Sequence, residues 1–455
     1  MDKNEAQYKK MTEEPVGGLI LSLAVPTIIS MIVTAIYNTA DTYFVSQLGT
    51  SASGAVGIVM SLMALIQSIG FMTGMGAGSW MSRLLGQKKD HMASQVAASG
   101  FYFSFALGIL VEVFGLLFLD PLVGLLGATE TIRPYAREYA QYILYAAPFL
   151  IASFTMNKML CSEGKARFAM CGIAFGGVLN IFLDPLFIFG FKLGIAGAAI
   201  ATGISQLVSF GILLYMFVSG RTIAKLGISN AARGVSMYVE IVQSGAPSFF
   251  RQGLASVASI ALNKMAAGYG DAAVSAMAIV TKVFMLIFSV LIGFGQGYQP
   301  VAGYNYGAKR YDRVKKAFSF MVCSSTAFMT VFAVLGYLAA PQLIRFFISS
   351  DPKVVQIGTE SLRFQCLSMP FLPLNICCNM TFQTIGRSGL ATFLSTARQG
   401  YAFLPLIVIL PQLIGLTGVE TAQPIADVVA FVICVPYTIK FFTELKYQAK
   451  LPKEE

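Results

Sequence analysis

Charge is what this sequence most lacks. Asp, Glu, Lys and Arg together make up 12% of its 455 residues, where ordinary soluble domains carry roughly 25%. Half the usual charge cannot cover the surface of a soluble protein this long. With 56% hydrophobic residues and a mean hydropathy of +0.69, the chain reads as one whose main solvent is a lipid bilayer. Other absences narrow the chemistry. The single histidine, His91, sits in a basic loop without a cysteine or acidic cluster, so neither a zinc site nor a Ser–His pair can be built on it. The seven cysteines, Cys161, Cys171, Cys323, Cys366, Cys377, Cys378 and Cys434, form no CxxC pair and read as packing residues. No Gly-x-x-x-x-Gly-Lys-Ser/Thr loop occurs, which argues against ATP-driven pumping by this chain. With no nucleophile–base pair or metal cluster in view, neither an enzyme nor a cofactor is expected. Residues 1–14 are polar and lack an apolar core with a cleavage site, so the first apolar segment is expected to stay in the mature protein.

What is abundant is apolar sequence in lengths of about 20 residues, the span of a membrane helix. Twelve such windows cover approximately 16–39, 52–76, 95–118, 136–157, 168–190, 195–218, 240–265, 274–298, 316–340, 360–383, 392–414 and 421–443. The fold class that follows is an all-α membrane protein of twelve transmembrane helices. The net charge of +10 is scattered between apolar runs, so it reads as positive-inside loop charge and not as a nucleic-acid surface. With both termini inside, 23 of the 32 Lys and Arg fall on cytoplasmic segments, 7 on external ones, and Arg251 and Lys282 within spans. Lys158, Arg233, Arg398 and Lys453 are among the 23.

The chain also repeats itself. Pro26 and Pro247 stand 221 residues apart, as do Gly74 and Gly295, and Gly76 and Gly297. Gly86-Gln-Lys-Lys-Asp90 answers to Gly307-Ala-Lys-Arg-Tyr-Asp312, and Gly194-Ile-Ala-Gly197 to Gly415-Leu-Thr-Gly418. A constant register over so many matches means two tandem halves. The expected organisation is an N-terminal lobe (1–218, spans one to six), a cytoplasmic linker (219–236) and a C-terminal lobe (237–455, spans seven to twelve). Six is even, so both halves enter the membrane in one sense, related by a pseudo-twofold axis along its normal. A cleft between two such lobes suits a central site exposed alternately to each side. Gly293-Phe-Gly295-Gln-Gly297 looks faintly like a dinucleotide fingerprint, but it lies inside a span and reads as a point of close helix approach.

Ionisable groups inside spans are costly and usually functional. Asp41 ends the first span; Asp184 lies in the fifth, four residues after Asn180, so Asn180 and Asp184 share a helix face. With Asn157 and Thr202 they form a candidate proton or cation site, Asp41 and Asp184 titrating as a coupled pair. Asp41 is the expected main proton carrier, and Na+ at Asp41 and Asp184 stays open; no other metal is expected. Pro26 can let the helix bearing Asp41 bend. The second half keeps no acidic pair: Leu262 and Pro405 stand at the corresponding positions. It offers Arg251, Gln252, Lys282, Asn375, Asn379 and Gln399, which together with Tyr37 are the candidate lining of a substrate cleft. Glu112 and Asp427 read as structurally paired or interfacial.

Taken together, Pro26, the Asn-Thr-Ala-Asp-Thr run at 38–42, Asn180 with Asp184-Pro185, and the Gly-Tyr-Gln-Pro-Val-Ala-Gly-Tyr-Asn-Tyr-Gly run at 297–307 resemble the multidrug and toxic compound extrusion (MATE) family over essentially the whole chain. The resemblance implies a secondary antiporter that exports organic, often cationic, compounds in exchange for H+ or Na+. It points to the DinF-like branch, whose cation site lies in the N-terminal lobe and is matched here at Asp41, Asn180, Asp184 and Thr202, with Asn157 nearby. The acidic residue that other members carry in span seven is missing, with Ala255 near its position, which favours protons without excluding Na+. A flippase for a lipid-linked saccharide is the alternative, given some weight by Arg251 and Lys282. Expected partners are small organic molecules and the lipid bilayer, with no nucleic acid. The expected state is a monomer in the inner (plasma) membrane.

Overall fold

The computed structural model describes residues 3–231, 234–348 and 351–450; Arg233 and Lys453 lie outside them. Among the described residues every regular element is helical. A short α1 (Lys3–Glu13) precedes the first lobe, whose helices are α2 (Val16–Ser46), α3 (Thr50–Gly86), α4 (Asp90–Leu117), α5 (Leu119–Leu125), α6 (Arg133–Ser162), α7 (Ala166–Pro185) and α8 (Gly194–Val218). The second lobe holds α9 (Val235–Ala267), α10 (Asp271–Gly307), α11 (Tyr311–Leu338), α12 (Ala340–Phe347), α13 (Pro352–Ser368), α14 (Leu372–Thr384), α15 (Ser388–Thr396), α16 (Leu404–Ile414) and α17 (Leu416–Lys450). Among the described residues ten helical stretches are long and apolar enough to cross a membrane. α9, which carries Glu240, Arg251 and Lys264, and the α13–α14 pair complete the twelve-span, two-lobe layout.

The helices overrun the apolar windows. α3 and α10 have 37 residues each, about 55 Å of helix against a hydrocarbon core of about 30 Å. Their surplus reaches the face of the protein that also bears α1 and the end of α17, called the terminal face below. Asp41 therefore stands within α2 and not at its end, and α2 runs unbroken through Pro26.

The repeat is visible in the backbone. Lys88 and Lys309, 221 residues apart, both take the left-handed conformation (φ 59° and 55°) in the turns that end α3 and α10. Gly49 and Gly270, at φ 112° and 96°, open those same helices, a conformation that glycine adopts without Cβ strain.

Between the lobes, glycine allows backbone to meet backbone. A Cβ on Gly76 would lie 2.0 Å from the Ile241 carbonyl oxygen, and one on Gly245 1.9 Å from that of Met72; α3 thus seats on α9. The symmetric contact seats α10 on α2, with Gly293 against Ile28 and Gly297 against Ala24. Further toward the terminal face α3 and α10 meet each other, Gly86 against the Tyr304 carbonyl and Gly307 against that of Arg83. Polar contacts reinforce this end. Thr27 Oγ1 donates to the Gly293 carbonyl at 2.6 Å, and Arg83 Nη1 to that of Thr384 at 2.9 Å. On the outer halves of α3 and α9, by contrast, Gly57 and Gly253 meet nothing within 4 Å. The close glycine approaches between the lobes are gathered toward the terminal face, and the outer glycines of α3 and α9 stand clear.

α1 lies across that seam. Asn4 donates to Asp90 at 2.7 Å and Gln7 to the Glu163 carbonyl at 2.9 Å on the first lobe. From the second lobe, Asn305 and Arg310 donate to the Met11 and Thr12 carbonyls at 3.0 and 2.7 Å. Glu163, fully buried, pairs with Lys165 at 2.6 Å and accepts from the linker amides of Ile223 and Ala224 at 2.6 and 3.5 Å. Burial pushes its carboxyl above the ordinary range, against the pull of Lys165 and those amides.

Forcing a side chain between α3 and α9 should loosen this seam. Overpacking typically costs about 1–3 kcal/mol, so Gly76→Val should lower the thermal unfolding temperature of the purified protein, while Gly57→Ala, in open space, should leave it unchanged or slightly raised.

Candidate functional site

The acidic pair comes together inside the first lobe. Asn180 and Asp184 sit one turn apart near the end of α7, where Pro185 supplies no N–H and the helix loosens into a π-turn over Leu186–Gly190. Asp184 is fully buried and Asn180 2% exposed. Asn180 Nδ2 donates to Asp184 Oδ1 at 3.0 Å and, more weakly, to Thr202 Oγ1 of α8 at 3.4 Å. From α6, the buried Tyr139 hydroxyl donates to Asp41 Oδ2 at 3.4 Å. Three oxygens are left without a donor: Asp41 Oδ1, Asp184 Oδ2 and Asn180 Oδ1. Buried acceptors of this kind are normally satisfied. Carboxylate, amide and hydroxyl oxygens are also what a proton or a hard cation binds. A narrow cavity on the same lobe, lined by Thr34, Tyr37, Ser153, Gln206 and Ser209 among others, offers about 20 Å³ to water, room for one or two molecules.

One expected member does not join this group. Asn157 Nδ2 donates to the Ala169 carbonyl at 2.9 Å, at the opposite end of α7 from Asp184, about 22 Å away along the helix. Its counterpart Asn379 does the same with Ala391 at 2.8 Å. Both residues pin one helix to the next, once in each lobe; Asn157 thus stands apart from the acid pair, while Asn379 also keeps a buried Oδ1 without a donor. Pro26 is buried at the inter-lobe contact, some 15 residues and about 22 Å of helix from Asp41.

The rest of the expected cleft lining is dispersed. Tyr37 is in the first-lobe cavity. Asn375 is buried in the second lobe with Nδ2 unpartnered, Gln399 is half-buried with Oε1 unpartnered, and Lys282 is exposed. Arg251 and Gln252 are half-buried on α9. Arg398, expected on a loop, is buried instead and pairs with Asp427 at 2.6 Å. Gln365, Ser368 and Gln423 complete that carboxylate's partners at 3.0, 3.0 and 2.8 Å. This ion pair is saturated and holds the second lobe together.

Two residues that matter were not anticipated. Tyr139 is one; an aromatic in an apolar run carries no signal of its own. Lys158 is the other. Its position beside a predicted span end suggested a loop, but α6 continues to Ser162 and Lys158 is 1% exposed. Its ammonium donates to Gln296 Oε1 of the second lobe at 2.8 Å and lies 4.9 Å from the Phe71 ring centre.

The MatE family profile matches residues 26–186 and 247–408, the same unit found twice in the register of the repeat. The chain belongs to the MatE family. It is therefore a multi-pass membrane protein of a transporter family. The multidrug export protein MepA of Staphylococcus saprophyticus is 27% identical over 411 residues, covering 90% of each chain. That of Staphylococcus haemolyticus is 26% identical over 418 residues, 92% of each. Among solved structures, a multidrug resistance MATE family transporter in an outward-facing conformation superposes with a TM-score of 0.92 at 25% identity, over 98% of this chain and 99% of that one. A MATE in complex with MaL6 matches equally well, with a TM-score of 0.92 at 25% identity over 98% and 100% of the two chains.

In this MatE chain the helix-pinning role of Asn157 is open to a direct check. Asn157→Ala and Asn379→Ala should each cost about 1 kcal/mol of stability in denaturant or thermal unfolding. If Asn157→Ala instead abolishes ion binding while leaving stability intact, the helix-pinning role is wrong.

Proposed function

We propose that this chain is a secondary multidrug efflux antiporter, with the N-lobe ion site of the DinF-like kind, exporting organic and often cationic compounds in exchange for H+ or Na+. The observation that carries this reading is the trio of donor-less oxygens on Asp41, Asp184 and Asn180, buried in one lobe of a two-lobe transporter fold. An ion taken up there satisfies those oxygens and removes the repulsion between the two carboxylates. Tyr139 and Thr202 orient the group by hydrogen bonds. The likeness to proteins named as multidrug exporters supports the efflux half of the reading. The flippase alternative finds no such support.

The terminal face is assigned to the cytoplasm. Setting aside the buried Lys158 and Arg398 leaves the basic bias toward that face standing. The glycine approaches gathered toward the terminal face, with the outer glycines of α3 and α9 clear, then describe an outward-facing transporter. Loading of the acid pair from outside would favour closure, and drug would enter from the cytoplasm once the glycine seam parts. No cofactor beyond the coupling ion is invoked. Two fused halves already supply a twofold interface, so one chain in the plasma membrane is the working unit.

In proteoliposomes with pH and Na+ gradients imposed separately, wild-type protein should export ethidium under one of them. Asp41→Asn should reduce that flux to the protein-free background. Full gradient-driven transport by Asp41→Asn would overturn the assignment.

A further inference from the structure

The acid pair leaves unexplained a group of donors where the two lobes come together. Lys158 and Gln296 meet at the level of the first close glycines: the Lys158 stem packs where a Cβ on Gly74 would lie, 3.0 Å from Lys158 Cβ, and Gln296 stands between Gly295 and Gly297. Arg251 is six residues beyond Gly245 on α9, about 9 Å up the helix toward the outer side, and its charge acts on Lys158. Neither cation enters an ion pair among the described residues. Arg251 Nη1 and Gln296 Nε2 are buried without an acceptor. Lys158 Nζ uses one of its three protons on Gln296. Two uncompensated cations and a free amide donor in an apolar setting are costly to keep.

From this we infer that the floor of the inter-lobe cleft is an anion subsite, in which Arg251, Lys158 and Gln296 take the carboxylate or phosphate group of an amphiphile. A carboxylate matches the donor set. One oxygen can accept from the Arg251 guanidinium and the other from Lys158 and the Gln296 amide, a charge-assisted arrangement. Because Lys158 and Gln296 belong to different lobes, such a group would bridge both sides of the seam. The frame alone does not demand this chemistry. At the positions related by the repeat, Lys158 corresponds to Met380, Gln296 to Met75 and Arg251 to Ser30, and Met380 packs on Gly295 as Lys158 packs on Gly74. The inference rests on the transport reading only in making this amphiphile a candidate substrate: a zwitterion or an acid, where the acidic first-lobe site suits cations.

The test is a pair of probes on purified full-length protein in neutral detergent: dansyl-labelled undecanoic acid and its methyl ester, titrated by fluorescence. Wild-type protein should bind the acid about tenfold or more tightly than the ester, the range of a charge-assisted hydrogen bond. Arg251→Gln and Lys158→Gln should each collapse that preference, and Lys158→Arg should retain most of it. Displacement by phosphatidylglycerol but not by phosphatidylcholine identifies a lipid headgroup as the natural source; displacement by acetate or inorganic phosphate identifies a free anion. Equal wild-type affinity for acid and ester overturns the subsite, as does an unchanged preference in both glutamine variants. Ethidium efflux by the wild-type protein is a separate readout. If efflux persists without the acid preference, the subsite falls and the transport reading stands; if the preference holds without efflux, the reverse is true.

Discussion

The two lobes touch backbone to backbone, and most of what this molecule can do follows from that contact. Where Gly76 meets Ile241 and Gly245 meets Met72, with the symmetric pair of Gly293 and Gly297 on α2, there is no side chain to compress. A seam of this kind is either seated or parted, because packed surfaces are bistable and do not deform smoothly. Without a hydrophobic driving force between helices in lipid, close approach and inter-helix hydrogen bonds must hold it, and both are concentrated toward the terminal face. α1, lying across the seam with bonds to each lobe, adds to the closed arrangement.

Onto this symmetric frame the chain places asymmetric chemistry. The frame-holding parts recur in both halves: the Lys88 and Lys309 turns, the Asn157 and Asn379 helix pins, the paired glycines. The reactive parts do not. Asp41 and Asp184 answer to Leu262 and Pro405, and Lys158 to Met380. The first lobe therefore carries a pair of donor-less carboxylates, while in the second Asp427 is saturated by Arg398 and its neighbours and Glu420 is buried with Oε1 unpartnered. An ion that occupies only one lobe can bias the seam because the seam is shared.

Much of this was legible from residue order. Apolar windows of about 20 residues placed all twelve spans, and the 221-residue register placed the lobes and their relation. Asn180 and Asp184, one helical turn apart, were legible as one face. Other features were hidden for physical reasons. Hydropathy reports hydrocarbon depth and not helix length, so the surplus turns of α3, α6 and α10 went unread, and with them the burial of Lys158. An Asn near two acids in sequence-derived topology looks like a ligand; only the Ala169 carbonyl, supplied by a different helix, shows Asn157 to be a pin. Arg398 read as loop charge because its partner Asp427 is 29 residues away on another helix. Tyr139 became visible only when α6 brought it against Asp41.

The central claim is that an ion at Asp41 and Asp184 controls whether the lobes part or close. Its most direct test is the distance between spin labels on cysteines replacing Thr50 and Asp271, at the outer starts of α3 and α10, measured by pulsed electron resonance in nanodiscs. Acidification or added Na+ should shift wild-type protein toward the shorter, outwardly closed distance and leave the Asp41→Asn, Asp184→Asn double variant in one distribution. The same ion-dependent shift in that double variant would contradict the account.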